Sequence, residues 1–150
     1  MTIEKLACKL GRNDEVPNIE LAELLCKNED AGGIKEIVDG LKDTDKAVAN
    51  DCIKVLYEIG ARKPALISTY ADDLLALLHS RNNRLVWGGV TALATIAELS
   101  ADAIYAKIDM VLSVFKNGSV IAVDNSVTVL AGLCKADKKY EQHLFPMKMR

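Results

Sequence analysis

Aromatic side chains are scarce in this chain: one Trp, four Tyr and two Phe stand among 150 residues. Half of the residues are nonetheless hydrophobic, so the core has to be assembled from Leu, Ile, Val and Ala. Proline is rarer still, with three, and together with the nine glycines it clusters between the apolar stretches, which suits helices. Long hydrophobic runs are missing. The longest, Leu74-Leu75-Ala76-Leu77-Leu78, is far too short for a bilayer, and the amino terminus, Met-Thr-Ile-Glu-Lys-Leu, is charged at once. Neither membrane insertion nor secretion is expected; a cytoplasmic protein is.

The patterns that hold metals and cofactors are also missing. Cys8, Cys26, Cys52 and Cys134 stand singly, with no CxxC pair and no His at ligand spacing. Reduced thiols in the core of a cytosolic protein are the expectation, with a metal or a disulfide as the lesser alternative, and no cofactor is expected. No charge of one sign dominates. Residues 31–140 hold 13 Lys/Arg against 13 Asp/Glu, so no basic stripe is there to neutralise a phosphate backbone, and nucleic acid is not an expected partner. No HExxH, GxSxG or Gly-rich phosphate loop occurs. Asp72-Asp73 is the one tempting carboxylate pair, and it falls at a predicted helix start, where negative charge complements the dipole. His79 and His143 have no Ser, Cys or Asp motif to work with. The chain does not read as an enzyme.

What the chain has is a period. Leu41, Leu78 and Phe115 stand 37 residues apart, and the same step carries Ile37 to Leu74 to Val111 and Val38 to Leu75 to Leu112. It also joins Ile53, Val90 and Val127, then Leu56, Leu93 and Leu130, then Ile59, Ile96 and Leu133. A period of this size marks units that bury their apolar faces only by stacking on one another. Cys52, Gly89 and Ser126 share a further column, a slot for small residues against a neighbouring helix.

Each unit reads as two helices. Ile34, Ile37, Val38 and Leu41 follow the i, i+3, i+4, i+7 rule of one helical stripe, and the polar turn 42–46 offers caps for a second. Helices are predicted over 31–42, 44–60, 65–79, 83–98, 103–117 and 119–135, the last capped by Ser119. Residues 1–30 form a weaker pair: Ile3, Leu6, Ala7 and Leu10 in a helix ending at Gly11, and a second helix entered through Pro17. With 7 acidic and 4 basic residues, this pair suits a terminal cap whose outer face stays wet. The expected organisation is one solenoid domain over 1–150, with cap 1–30, repeats 31–64, 65–102 and 103–140, and a tail or partial repeat at 141–150.

The stretch from Leu41 to Leu56 resembles a HEAT repeat, with Asp43, Val48, Cys52 and Leu56 on that family's pattern. Ala49, Val86 and Val123 occupy the place of its usual Arg, so the Arg–Asp ladder between units is absent. Armadillo arrays are similar. The resemblance implies an all-α superhelix, three full helical pairs plus the amino-terminal pair, acting as a binding scaffold whose second helices line a concave face. On that face the period places Asn50, Lys54 and Tyr57, then Trp87, Thr91 and Ala94, then Asp124, Thr128 and Ala131, with Arg84 in the adjoining turn. Trp87 breaks the pattern, since Asn50 and Asp124 share its column. Either it is an accessible anchor for a partner, or the groove folds over it and it packs against the helix stems. Thr91, on the open side, is expected to tolerate Ala.

A non-enzymatic scaffold for another protein is therefore expected. A nucleic-acid-binding or DNA alkylation-repair glycosylase-like HEAT protein is the alternative, and a bilin-lyase-like or chaperone-like one a second. Leu144, Phe145, Met147 and Met149 give the tail apolar surface, so a lid over the last unit and self-association through that end are also expected.

Overall fold

A computed structural model of the chain describes residues 2–117 and 120–137. Among the described residues there are eight α-helices and no strand. They are α1 (Val16–Asn28), α2 (Ala31–Gly40), α3 (Lys46–Arg62), α4 (Ala71–Ala76), α5 (Asn83–Ile96), α6 (Ala101–Tyr105), α7 (Ile108–Asn117) and α8 (Val120–Ala136). The three long helices α3, α5 and α8 begin one period apart. Asp45 starts α3 by accepting a hydrogen bond from the Ala47 amide at 2.9 Å, and Asn82 does the same for α5 from Arg84 at 3.0 Å. Ser119, the expected third cap, lies outside the described residues, as do His143 and the expected lid at 141–150.

Two layers result. Helices α1, α3, α5 and α8 lie side by side in that order, while α2 packs on α3, α4 on α5 and α7 on α8. Between the layers runs one continuous core from Leu6 to Leu133. The columns Ile37/Leu74/Val111, Leu56/Leu93/Leu130 and Ile59/Ile96/Leu133 are buried throughout. Leu112 is half-buried, whereas its column mates Val38 and Leu75 are buried. Val127 departs from its column: Ile53 and Val90 are buried, but Val127 on α8 is 49% exposed. The small-residue column works between layers. A Cβ on Gly89 would press on the Leu74 carbonyl, and the Cys52 thiol lies against Gly40.

The outer layer differs from the expected single helices. Residues 64–79 form 3-10 turns at Pro64–Leu66, Ser68–Tyr70 and Leu77–His79 around α4, and the expected helix 103–117 is split into α6 and α7. Helix propensity is poor over Ile67-Ser68-Thr69. The Ser68 carbonyl is moreover taken by the Ser100 hydroxyl at 2.6 Å, and the Ser68 hydroxyl turns back onto the Ala65 carbonyl. At the second break, Lys107 and Met110 bond three residues back, a 3-10 pattern. Each later unit thus joins one long inner helix to a broken outer segment.

The amino-terminal pair is also corrected. Its first member is two 3-10 turns, Thr2–Lys5 and Ala7–Leu10, because side chains of other elements claim the backbone amides. Ile3 donates to Glu36, Ala7 to Asn18 at 2.9 Å and Cys8 to Asp51 at 2.9 Å. Gly11 ends the segment in the left-handed region at φ 70°, as its position predicts. No helix among the described residues is long and apolar enough to cross a membrane.

Candidate functional site

The eight candidate residues fall on three adjacent inner helices: Asn50, Lys54 and Tyr57 on α3, Arg84, Trp87 and Thr91 on α5, and Asp124 and Thr128 on α8. Five of them are joined in bonds that tie the helices together. The Tyr57 and Trp87 rings meet edge to face, 5.7 Å apart at 89°. Lys54 lies 4.9 Å from the centre of the Tyr57 ring and donates to Glu58 at 2.9 Å, with Glu15 at 3.2 Å. Asn82 donates to Asn50 at 2.8 Å. The Thr91 hydroxyl donates to the Trp87 carbonyl at 2.9 Å and accepts from Asn125 at 3.0 Å. Arg84, Asp124 and Thr128 are exposed, and Thr128 bonds back along its own helix, to the Asp124 carbonyl at 3.2 Å.

Trp87 is not the open ring of one sequence reading. It is half-buried, and its indole nitrogen is sealed from water with no acceptor. Its ring closes the α3–α5 seam. Thr91 is likewise half-buried and bonded on both sides rather than free.

Charge around this seam is balanced. Burial alone would lower the Lys54 pKa, but hydrogen bonds with Glu58, Tyr57 and Glu15 outweigh it, and the ammonium is held above its ordinary value. Burial pushes Glu58 up, yet Arg62 and Lys54 together keep its carboxyl below the usual range. Arg62 reaches Glu58 at 2.8 Å and Glu23 at 3.6 Å. The α3–α5 seam is thereby closed by the ring pair, while the chain of charges runs along α3 to Glu15 and Glu23 at α1.

One period on, between α5 and α8, the ring pair is missing. Ala94 stands where α3 has Tyr57, Thr95 where it has Glu58, and Leu99 where it has Arg62; Asp124 takes the place of Trp87. Between α5 and α8 this leaves a groove of about 400 Å³, lined by Pro64, Ala94, Thr95, Leu99, Thr128 and Ala131 among others. Leu99 is 59% exposed. Around the ends of α5 and α8 lies a second cleft of about 580 Å³, whose lining includes Asp72, Glu98, Asp102 and Asp137. Thr95, Glu98 and Leu99 escaped the sequence reading, although laying one unit over the next shows the loss of bulk at Thr95 and Leu99 relative to Glu58 and Arg62.

Among the described residues no group of three or more His, Cys, Asp or Glu could hold a metal ion. Asp72 and Asp73 lie in the first turn of α4, with Asp72 3.6 Å from Lys107. No cysteine is in a disulfide; Cys26 and Cys52 are buried, Cys8 and Cys134 half-buried. Burial and the Asp51 carboxylate push the Cys8 thiol up to about 11, the opposite of an activated nucleophile.

No protein-family model matches the chain, and no curated protein matches it. A crystal structure described as an engineered protein resembles it in fold, with a TM-score of 0.66 at 22% identity over 93% of this chain. The chain spans 65% of that protein's length.

Proposed function

We propose that the chain is a non-enzymatic scaffold for another protein, an α-α superhelix of the HEAT/armadillo type that presents the side of α3, α5 and α8 to its partner. The observation that supports this reading is the recurrence of one helix-to-helix step. Thr95 of α5 rests over Gly60 of α3, where a Cβ would collide with its hydroxyl, and one period later Gly132 of α8 rests against Ala97. A step that recurs builds a stack of units, and a stack presents a continuous surface. On this reading 31–64, 65–102 and 103–140 are the repeats and 1–30 is the cap. No Lys or Arg is among the residues lining the larger cleft at the ends of α5 and α8, which argues against the glycosylase-like and nucleic-acid alternatives.

A displayed random-peptide library selected against the folded chain tests the proposal, with the binders mapped by amide chemical shifts. Perturbations on α3, α5 and α8 are expected. Binders that perturb only α2, α4 and α7 would overturn it, as would release of an alkylated base from duplex DNA.

A further inference from the structure

The turns at Thr2–Lys5 and Ala7–Leu10 form an arm that lies in a slot built by three other elements. Single turns leave their first amides without a helical acceptor, and the slot supplies acceptors instead. Glu36 of α2 accepts from Ile3, Asn18 of α1 from Ala7 and Asp51 of α3 from Cys8. Between these bonds Leu6 is fully buried and Ala7 nearly so. The Ile3 side chain lies against Gly40, where a Cβ would press on it. The slot therefore selects both a backbone path and a side-chain pattern, and residues 2–10 satisfy both.

The connection from the arm to α1 is short and open. Gly11, Arg12, Asn13 and Glu15 are exposed, and Gly11 turns the chain back in the left-handed region. Apolar side chains collect around this connection. Leu10, Val16 and Leu24 are 54%, 48% and 39% exposed, and they make up three of the five large hydrophobic residues exposed among the described ones. Val16, Glu20 and Leu24 succeed one another at steps of four along α1. Leu10, Leu24, Lys5 and Glu20 line one groove of about 370 Å³. A patch with apolar side chains and both signs of charge beside them is self-complementary, as a two-fold contact requires.

We propose that two copies of the chain exchange these arms, each slot receiving residues 2–10 of the other copy. The connection 11–15 opens, the two connections cross at the two-fold axis, and the patches around Leu10, Val16 and Leu24 meet there. Each bond from arm to slot is remade, so the exchange sacrifices few contacts, and the newly covered patch favours the dimer. A short flexible connection gives the arm an effective concentration of millimolar order at its own slot. A second copy therefore competes once the protein itself is at millimolar concentration.

The test is to unfold an equal mixture of carbon-labelled and unlabelled chains and refold it at millimolar concentration. Light scattering then reads the mass, and isotope-filtered NOE spectroscopy reads contacts between copies. A dimer is expected, with NOEs from the Ile3 methyls of the labelled copy to Gly40 of the unlabelled one. Leu24→Glu, at an exposed position, should leave the circular dichroism unchanged and raise the dissociation constant of the dimer about tenfold. A chain that stays monomeric at millimolar concentration overturns the proposal. So does a dimer in which the Ile3 to Gly40 NOEs stay within one copy, and so does Leu24→Glu with undiminished dimerisation.

Discussion

An indole N–H sealed from water without an acceptor forfeits about 1–3 kcal/mol, and Trp87 carries that deficit in the α3–α5 seam. Its fluorescence should therefore be blue-shifted and resistant to iodide, and Tyr57→Ala, which uncovers the ring, should move the emission to the red. A red, readily quenched spectrum in the intact protein would contradict the seam. Trp87→Phe keeps a ring against Tyr57 and deletes the orphan donor. In urea denaturation it should cost clearly less than Trp87→Ala, whose loss is about 3 kcal/mol. Thr91→Ala breaks the link to Asn125 and should cost about 1 kcal/mol rather than nothing. Cys52 gives a residue-scale pH effect. Burial, with Asp51 adding to it, pushes its thiol up to about 12, while the unfolded chain ionises near the ordinary value of 9.0. Unfolding therefore releases a proton in alkali, so the stability due to the neutral thiol is complete below about pH 9 and is lost as pH rises towards about 12. The melting temperature should fall more steeply across that window in the natural protein than in Cys52→Ala. Parallel curves would show that the thiol is not held neutral.

Among the elements, α3 is the hub, since α1, α2 and α5 all pack on it and Asp51 on its flank clips the amino-terminal turns. The Asp51 carboxylate accepts from the Cys8 amide at 2.9 Å and from the Asn18 side chain at 2.9 Å. Bonds to a charged acceptor are worth about 1.5–3 kcal/mol, so Asp51→Ala should cost about that much. Hydrogen exchange would place the loss, with residues 2–10 deprotected while α5 stays protected. Uniform deprotection would mean that the turns are not a separate clip. The long inner helices were legible in the sequence because a cap, a 3.6-residue stripe and a 37-residue echo all agree on them. Asp45 and Asn82 stand one period apart and start helices within two residues of the expected positions. The outer layer was less legible. Ile67, Ala71, Leu74, Leu75 and Leu78 keep helical spacing through a segment that is not one helix, because the breaks come from hydrogen bonds such as Ser100 to Ser68, 32 residues apart. The amino-terminal turns failed for the same reason: Glu36, Asn18 and Asp51 are remote in sequence from the amides they take. Of the candidate residues, the period gave the three helices that carry them. It could not tell that Tyr57 and Trp87 would close on each other, since periodicity fixes the direction of a side chain and not its partner.

At the scale of the whole molecule, the principal contacts of the inner row run from each helix to the next, with α1 on α3, α3 on α5 and α5 on α8. A chain held together this way has ends that open at lower cost than its middle. Protection from exchange should peak in α3 and α5 and decline towards α1 and α8, and a flat profile would mean that the row unfolds as one block. Leu93, fully buried in the middle of the row, should cost about 2–5 kcal/mol when cut to Ala. Trp87 sits in that middle, and the chain has no other indole. Its side-chain N–H therefore gives a single resonance of its own kind, silent to solvent until α3 and α5 part. The group that weakens the seam is thus also its gauge: the rate at which that one proton is replaced by deuterium reads how often the centre of the molecule breathes, with no label attached.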